Sequence, residues 1–249
     1  MRILGIESSS LVASVAVVTD EVVTAEYTMN LKKTHSQTLL PMIDEMMGML
    51  ELDLQEIDVI AVSGGPGSFT GLRIGSATGK GLGLALKKPL IHVPTMDAMA
   101  YGLYGTEALI CPIMDARRQQ VYTGLYHHNR EFQVVKEQWP ADIHELVKEL
   151  NERGERVIFL GDGVLVNREL LETELQTEYD FAPAHLNRQR GAAVAALGAV
   201  YCRKGQLETA ADHKPDYLRK SQAEREREVA ERQGELQKLA AGIVVVERG

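Results

Sequence analysis

The sequence predicts an α/β fold of two lobes, each built on a mixed β-sheet that is flanked by helices. Three short strands, a helix, a strand and a helix occur in this order twice, once from residue 3 and once from about residue 109. The period is too long for a solenoid repeat, so a duplicated domain is indicated. A glycine-rich turn between a strand and a helix supports the α/β class, because such folds place ligands or close contacts there.

The first half of the chain supplies one complete set of elements. Strands are expected at residues 3–7, 13–18 and 21–27, where short apolar runs are separated by turns. A helix is expected at 36–50, because its apolar residues recur at spacings of three and four. The remaining elements of this half are a strand at 58–62, a helix at about 70–86, a strand at 90–93 and a short helix at 96–103.

The second half repeats this order before a compositional change. Its elements are strands at 109–114, 120–126 and 131–137, a helix at 141–151, a strand at 156–160, and helices at 166–175 and 191–203. We therefore expect an N-terminal lobe over residues 1–105 and a C-terminal lobe over residues 106–219. Residues 220–249 are expected to form a charged C-terminal tail, in which residues 241–246 are apolar and dock as a strand.

Composition and charge narrow the range of functions. The 249 residues are 45% hydrophobic and 25% charged, which is typical of a globular protein. The formal net charge of −8 argues against a large basic surface for nucleic acid on this chain alone. No apolar run approaches the roughly 18 residues of a membrane-spanning helix, and the N-terminus lacks a secretory signal pattern. We therefore expect a cytoplasmic protein without membrane contact, whose two cysteines are free thiols.

The glycine-rich turn runs from Ser63 to Gly75 and does not match the standard phosphate-binding loops. A Walker A loop requires a glycine, four residues and then Gly-Lys-Ser/Thr, and no glycine of the turn satisfies that count. The dinucleotide fingerprint fails because Thr70 stands where its third glycine is needed. The turn is therefore not a standard phosphate cradle, although its amides could still hold an anion.

Four glycines line one side of the helix that follows the turn. Gly71, Gly75, Gly79 and Gly83 recur every four residues. Each glycine in a helix costs up to about 1 kcal/mol relative to alanine, so the bare side is expected to serve a very close approach. An internal contact and a partner helix from another chain are equally weighted interpretations. The preceding helix is rich in methionine, which suits a core or an adaptable partner surface.

The spacing of the histidines does not support a metal site. His144-Glu145 begins like the zinc-protease motif, but Lys148 stands where the second histidine is needed. His127 and His128 are adjacent on a predicted strand, so they point to opposite faces. The other histidines are scattered along the chain, and we predict no metal ligands.

The duplicated order of elements resembles the actin, Hsp70 and sugar-kinase superfamily, which implies an actin-like (ASKHA) two-lobe fold. Within that superfamily, several blocks look like the bacterial TsaB (YeaZ) family over roughly residues 1–220. These blocks are Ile3–Ser9, His35–Pro41, Ser63–Gly75, Asp115–Arg117 with Val121–Tyr122, and Pro215–Arg219. The Gly-Pro-Gly-Ser-Phe-Thr-Gly-Leu-Arg block is highly specific, and the other blocks agree with it in order and spacing.

The resemblance implies a non-catalytic scaffold and dimerisation subunit in the synthesis of threonylcarbamoyladenosine, the modified base beside the tRNA anticodon. The implied partners are the catalytic paralogue TsaD and the ATPase TsaE, with a homodimer when the chain is alone. tRNA would be reached only through the complex. No cofactor is expected on this chain, whereas ATP or ADP and a metal are expected on the partners.

The metal ligands of the catalytic paralogue are missing at the matching positions. The paralogue follows a Pro-Leu-Ile-x-Val strand with a metal-binding His-x-x-x-His, and the resemblance places these two histidines at Thr95 and Met99. Neither side chain is a suitable ligand for zinc or iron in such a site. The transfer site is therefore expected to be absent. A metalloprotease, suggested by older interpretations of this superfamily, is disfavoured because histidines are missing here and at Lys148.

The resemblance also implies that the first two helices pair with the same helices of the partner. On this basis Gly75→Leu is expected to leave the monomer folded and to weaken pairing. The predicted interface residues are His35, Leu39, Met42, Ile43, Met46, Gly71, Ile74, Gly75, Thr78, Gly79 and Leu82.

The alternative function is a nucleotide-dependent phosphotransferase of the same superfold. Glu7 and Asp115 each end the first strand of a lobe, where kinase-like folds set a metal-facing carboxylate. With Ser9, they are the candidate nucleotide-facing residues. For Asp115, an ion pair with Arg117 or Arg118 is the favoured interpretation.

Overall fold

Two five-stranded sheets organise the computed structural model, which describes residues 1–218. The first sheet has the order β3-β2-β1-β4-β5, in which β1, β2 and β3 are antiparallel and β4 and β5 continue parallel to β1. Its strands are β1 (Arg2–Glu7), β2 (Val12–Thr19), β3 (Val22–Asn30), β4 (Val59–Gly65) and β5 (Leu90–Pro94).

The second sheet repeats this arrangement with the order β10-β9-β6-β7-β8. Its first three strands are again antiparallel, and β9 and β10 again add in parallel beside the first of them. Its strands are β6 (Thr106–Asp115), β7 (Gln120–His128), β8 (Phe132–Asp142), β9 (Val157–Leu160) and β10 (Tyr179–Phe181). The predicted duplicated α/β fold with mixed sheets is confirmed.

Within residues 1–218, six helices and a short 3₁₀ turn, Leu54–Glu56, connect or cover the strands. None of the helices in the described range combines the length and the apolar character that crossing a bilayer requires. The helices are α1 (His35–Met49), α2 (Phe69–Leu86), α3 (Thr95–Tyr101), α4 (Ile143–Arg153), α5 (Gly163–Glu174) and α6 (Gly191–Arg203).

Helices cover both faces of the first sheet, which explains why its central strands are apolar throughout. Leu4 and Ile6 of β1 pack in the core under α1, with half-buried residues of α2 against the same cluster. Ile3 packs on the opposite face against α6. Helix α6 thus follows the second sheet in sequence but packs on the first sheet. The predicted lobe boundaries at 105/106 and 219/220 remain a prediction.

Strand β8 departs from the predicted boundaries. It continues to Asp142, although the sequence analysis ended this strand at 137 and began a helix at 141. Pro140 is tolerated because β8 lies at the edge of its sheet, where one side of the strand needs no hydrogen bonds. Helix α4 then begins at Ile143, after Asp142 accepts a hydrogen bond of 2.9 Å from the amide of His144.

Met1–Tyr217 forms one compact unit. Within it, both cysteines are free: Cys111 is buried, and Cys202 is half-buried. The predicted charged tail at 220–249 and the predicted strand at 241–246 lie outside the described residues.

Candidate functional site

The glycine-rich turn joins β4 to α2 and lies against the serine loop that follows β1. Ser68 caps α2, because its Oγ accepts a hydrogen bond of 3.3 Å from the amide of Gly71. The amide of Ser68 donates to the carbonyl oxygen of Ser9 at 2.6 Å. A Cβ atom on Gly67 would overlap that oxygen, so the two loops meet backbone to backbone. The amides of Ser68 and Gly71 both donate hydrogen bonds within the chain, so fewer amides of the turn remain to bind an anion.

Glu7 is enclosed at this junction between the two loops. It is 1% exposed, and its Oε1 accepts two hydrogen bonds of 2.6 Å, from the amide and the hydroxyl of Ser9. Its Oε2 is buried without a hydrogen-bond partner among the described residues. Burial raises the pKa of Glu7 above its ordinary value of 4.5, and the hydrogen bonds from Ser9 oppose this shift. The candidate nucleotide-facing role of Glu7 and Ser9 stays a prediction.

The raised pKa of Glu7 predicts a pH dependence of stability. Above pH 4.5 the unfolded chain has lost this proton while the folded chain still holds it, so rising pH lowers the free energy of unfolding until the folded pKa is passed. Glu7→Gln removes this titration. The stability of the wild type relative to the variant is therefore expected to fall from about pH 4.5 upwards. Urea unfolding of both proteins at several pH values measures the difference. A difference independent of pH would contradict the prediction.

Most residues predicted to form the partner interface lie inside this chain. The apolar side chains of α1 pack in the core against the first sheet, and His35 Nε2 lies 2.8 Å from the carbonyl oxygen of Ser10. Apolar periodicity marks a core face as strongly as a partner face, so the sequence could not separate them. The half-buried members are Ile74, Thr78 and Leu82. The buried members are His35, Leu39, Met42, Ile43, Met46, Gly71, Gly75 and Gly79.

The glycine ridge of α2 faces this chain's own first sheet, as the internal-contact interpretation requires. A Cβ atom on Gly71 or Gly75 would overlap atoms of Ser8, and one on Gly79 would lie 2.6 Å from Cγ2 of Val62. The hydroxyl of Ser8 also donates to the carbonyl oxygen of Gly71 at 2.9 Å. Gly75→Leu is therefore expected to destabilise the monomer, contrary to the expectation from the sequence.

Helices α1 and α2 contact each other, and each buries one side in this chain and exposes another. Apart from the chain neighbours and the nearby backbone of the same helix, no atom of the described residues lies within 4 Å of where a Cβ on Gly48 or Gly81 would be. Leu40 and Leu84 are 52% and 61% exposed on the same two helices. We call this exposed surface the outer face. It comprises Leu40, Asp44, Gly48, Ala77, Gly81, Leu84 and Ala85.

Asp115 contacts the main chain of its own turn. It is exposed at the end of β6, and its Oδ1 accepts a hydrogen bond of 2.7 Å from the amide of Arg117. Asp115 thus contacts a backbone amide, whereas the sequence analysis favoured an ion pair with the guanidinium group of Arg117 or Arg118. Arg117, Arg118 and Gln119 have φ values of 63, 57 and 59°, so this turn is left-handed. The candidate nucleotide-facing role of Asp115 stays a prediction.

The two positions that match the paralogue's metal ligands are both buried. Thr95 and Ser63 share a hydrogen bond of 2.9 Å between their hydroxyl groups. Met99 is 4% exposed and belongs to an apolar cluster with Tyr126 and Leu160. A buried hydroxyl and a thioether in a core do not provide the nitrogen and oxygen ligands of such a site.

The structure brings two histidines that the sequence analysis described as scattered, His92 and His213, together with Glu208 as potential metal ligands. One ligand atom each of His92, Glu208 and His213 lies within 4.8 Å of the others. Burial, followed by the charge of His213, lowers the pKa of His92, which favours its neutral form. No spacing rule relates a histidine in β5 to residues after α6, and their proximity depends on the pairing of Leu90 with Glu208. The sequence carried no local signal for this cluster.

Comparisons with known proteins place the chain within a family. Residues 23–227 match the family model described as "TsaD: tRNA N6-adenosine threonylcarbamoyltransferase". The tRNA threonylcarbamoyladenosine biosynthesis protein TsaB of Bacillus subtilis is 35% identical over 230 residues, which cover 90% of this chain and 96% of that protein. The protein of the same name from Escherichia coli is 33% identical over 162 residues, which cover 61% of this chain and 68% of that protein.

A solved structure agrees with this result at the level of the fold. YeaZ from Pseudomonas aeruginosa superimposes with a TM-score of 0.72 and 23% identity, covering 87% of this chain and 99% of that one. The likeness supports the duplicated two-lobe fold, while the sequence identity to the Bacillus subtilis protein over nearly the whole of both chains carries the family assignment. The chain therefore belongs to the TsaB (YeaZ) family of tRNA threonylcarbamoyladenosine biosynthesis proteins.

Proposed function

We propose that this chain acts in the cytoplasm as a non-catalytic subunit in the synthesis of threonylcarbamoyladenosine in tRNA. It pairs with the catalytic paralogue TsaD and helps to recruit the ATPase TsaE. The observation that carries the proposal is the 35% identity to the Bacillus subtilis protein across 90% of this chain. The match of residues 23–227 to the transferase family model supports a common origin of the two partners.

The absence of suitable metal ligands at Thr95 and Met99 supports a non-catalytic role. Thr95 and Met99 occupy the positions that the resemblance assigns to the paralogue's histidines, and both are buried within the described chain. A transferase that needs a metal at this place would have neither the ligands nor an open position for substrate. The transfer chemistry is therefore assigned to TsaD.

The outer face of α1 and α2 is the best-supported surface for pairing. Gly48 and Gly81 lower helix stability without serving a close internal contact, unlike the inward glycine ridge. An approaching helix would give them the same purpose that the first sheet gives to Gly79. Exposed Leu40 adds apolar surface beside them. We propose that the same face forms the homodimer when TsaD is absent, so that the two assemblies compete.

A phosphotransferase remains the second candidate, with weaker support. That reaction needs a carboxylate that can face a magnesium ion bound to a nucleotide. Glu7 is enclosed and hydrogen-bonded to Ser9, whereas Asp115 is exposed. Calorimetric titration of the isolated chain with ATP and magnesium distinguishes the candidates, because tight binding would favour the phosphotransferase.

A reconstituted transfer reaction tests the proposal. The donor synthase, TsaD, TsaE and tRNA are combined, and this chain is either added or omitted. Threonylcarbamoyladenosine should form only when this chain is present, and omission should lower product to the level seen without TsaD. This chain with TsaE but without TsaD should make none. Nucleoside analysis by mass spectrometry measures the product. Equal product from TsaD and TsaE without this chain would exclude the scaffold role.

A further inference from the structure

Three metal-ligating side chains from distant parts of the sequence meet beside β5. His92 belongs to β5, whereas Glu208 and His213 follow α6. Two backbone hydrogen bonds of 2.9 and 3.0 Å between Leu90 and Glu208 hold the segments together. Lys80 fixes the later part of the segment, because its Nζ donates to the carbonyl oxygen of His213 at 3.0 Å. The main chain therefore positions this cluster independently of its side-chain contacts.

Hydrogen bonding prepares His213 as a metal ligand. Its side chain is fully buried, and its Nδ1 lies 2.5 Å from Oε1 of Glu208. Glu208 and His213 thus face each other through atoms that can both ligate a metal. An ion held by both residues would bind at Nδ1 and take the place of the proton shared there, because metal binding to histidine requires the deprotonated nitrogen.

The space around His92 fits a second imidazole ligand. A Cβ atom on Gly64 would overlap the His92 ring, so the glycine leaves room for the imidazole. The ring centroids of His92 and His213 are 5.9 Å apart. Zinc–nitrogen distances of about 2.0–2.1 Å place two ligating imidazoles at a comparable separation. The half-buried carboxylate of Glu208 completes a group of two imidazoles and one carboxylate.

We propose that His92, Glu208 and His213 form a binding site for one divalent transition-metal ion, and that zinc fits it best. Two imidazoles and a carboxylate form a zinc-binding set, with water filling the remaining position. The ion would join the segment after α6 to β5. That segment also contacts the glycine-rich turn, where the amide of Asp216 donates to the carbonyl oxygen of Gly64 at 2.6 Å. The site therefore has a structural role, and none of its three residues belongs to the outer face proposed for pairing.

The test uses the full chain, freed of metal by a chelator, and zinc ions alone as the probe. Competition with a chromophoric chelator should show one zinc ion bound per chain. The midpoint of thermal unfolding should rise with zinc concentration, because the ion binds the folded state. Cobalt in place of zinc should give the visible absorption of a four-coordinate site. A wild-type chain that binds less than one zinc ion at saturation would overturn the proposal.

Matched variants locate the bound ion. His92→Gln and Glu208→Gln are both expected to weaken zinc binding by about 10- to 100-fold or more. His144→Gln is the control. It also removes a histidine that faces a carboxylate, because His144 Nδ1 lies 3.0 Å from Oε2 of Glu174, but this pair lies at the surface and outside the cluster. Circular dichroism establishes that each protein is folded. Unchanged affinity in the two ligand variants, or an equal loss in the control, would overturn the assignment.

Discussion

Replacing Gly81 with leucine is expected to weaken pairing through the outer face by about 10- to 100-fold, since overpacking a close contact costs about 1–3 kcal/mol. In the monomer, the space beside Gly81 is open within the described residues. Leucine also favours a helix over glycine by up to about 1 kcal/mol, so the variant's free energy of unfolding should not fall. The substitution therefore separates pairing from folding.

Sedimentation measures the proposed homodimer, and calorimetric titration with TsaD measures the proposed heterodimer. Unfolding in urea is compared at a concentration where the wild type is monomeric, because pairing adds to apparent stability. Glu145→Leu is the matched control, because it adds an exposed leucine to α4, on the second sheet. This control should pair like the wild type. Wild-type affinity in Gly81→Leu would exclude the outer face as the interface.

The order of helices and strands was predictable because it depends on local sequence patterns. Apolar spacing predicted a helix at 36–50, and the structure has α1 at His35–Met49. Short apolar runs likewise predicted the central strands of both sheets. Strand β10 escaped prediction because it has only three residues, Tyr179–Phe181, and forms by pairing with β9. Its pairing is a tertiary contact that no local pattern encodes.

The direction in which each helix faces was not predictable from the same patterns. Glycine spacing showed that α2 has a bare side but not what approaches it. The carbonyl of Ser8 and the side chain of Val62 occupy that side; Ser8 follows β1, and Val62 lies within β4. Likewise, Leu39 and Leu40 are neighbours in an apolar helix, yet Leu39 is buried and Leu40 is 52% exposed. A partner surface could be located only after the sheet had been placed.

The two sides of α2 predict opposite effects of the same substitution. Gly71→Ala places a methyl group on the carbonyl oxygen of Ser8, where two backbone segments must move apart. Such overpacking typically costs about 1–3 kcal/mol, which exceeds the gain of up to about 1 kcal/mol from alanine's helix propensity. The loop junction at Glu7 would also be disturbed, because Ser8 follows it directly. The free energy of unfolding is therefore expected to fall.

Gly81→Ala provides the comparison within the same helix. It has the same gain in helix propensity, and no atom of the described chain meets the added methyl group. The free energy of unfolding should therefore rise by up to about 1 kcal/mol. Urea unfolding of both variants under conditions that keep the chain monomeric measures the two changes. A rise in both would mean that helix propensity, and not the contact between α2 and the serine loop, determines the effect of Gly71. Opposite signs would instead support the division of this helix into an inward ridge and an outer face.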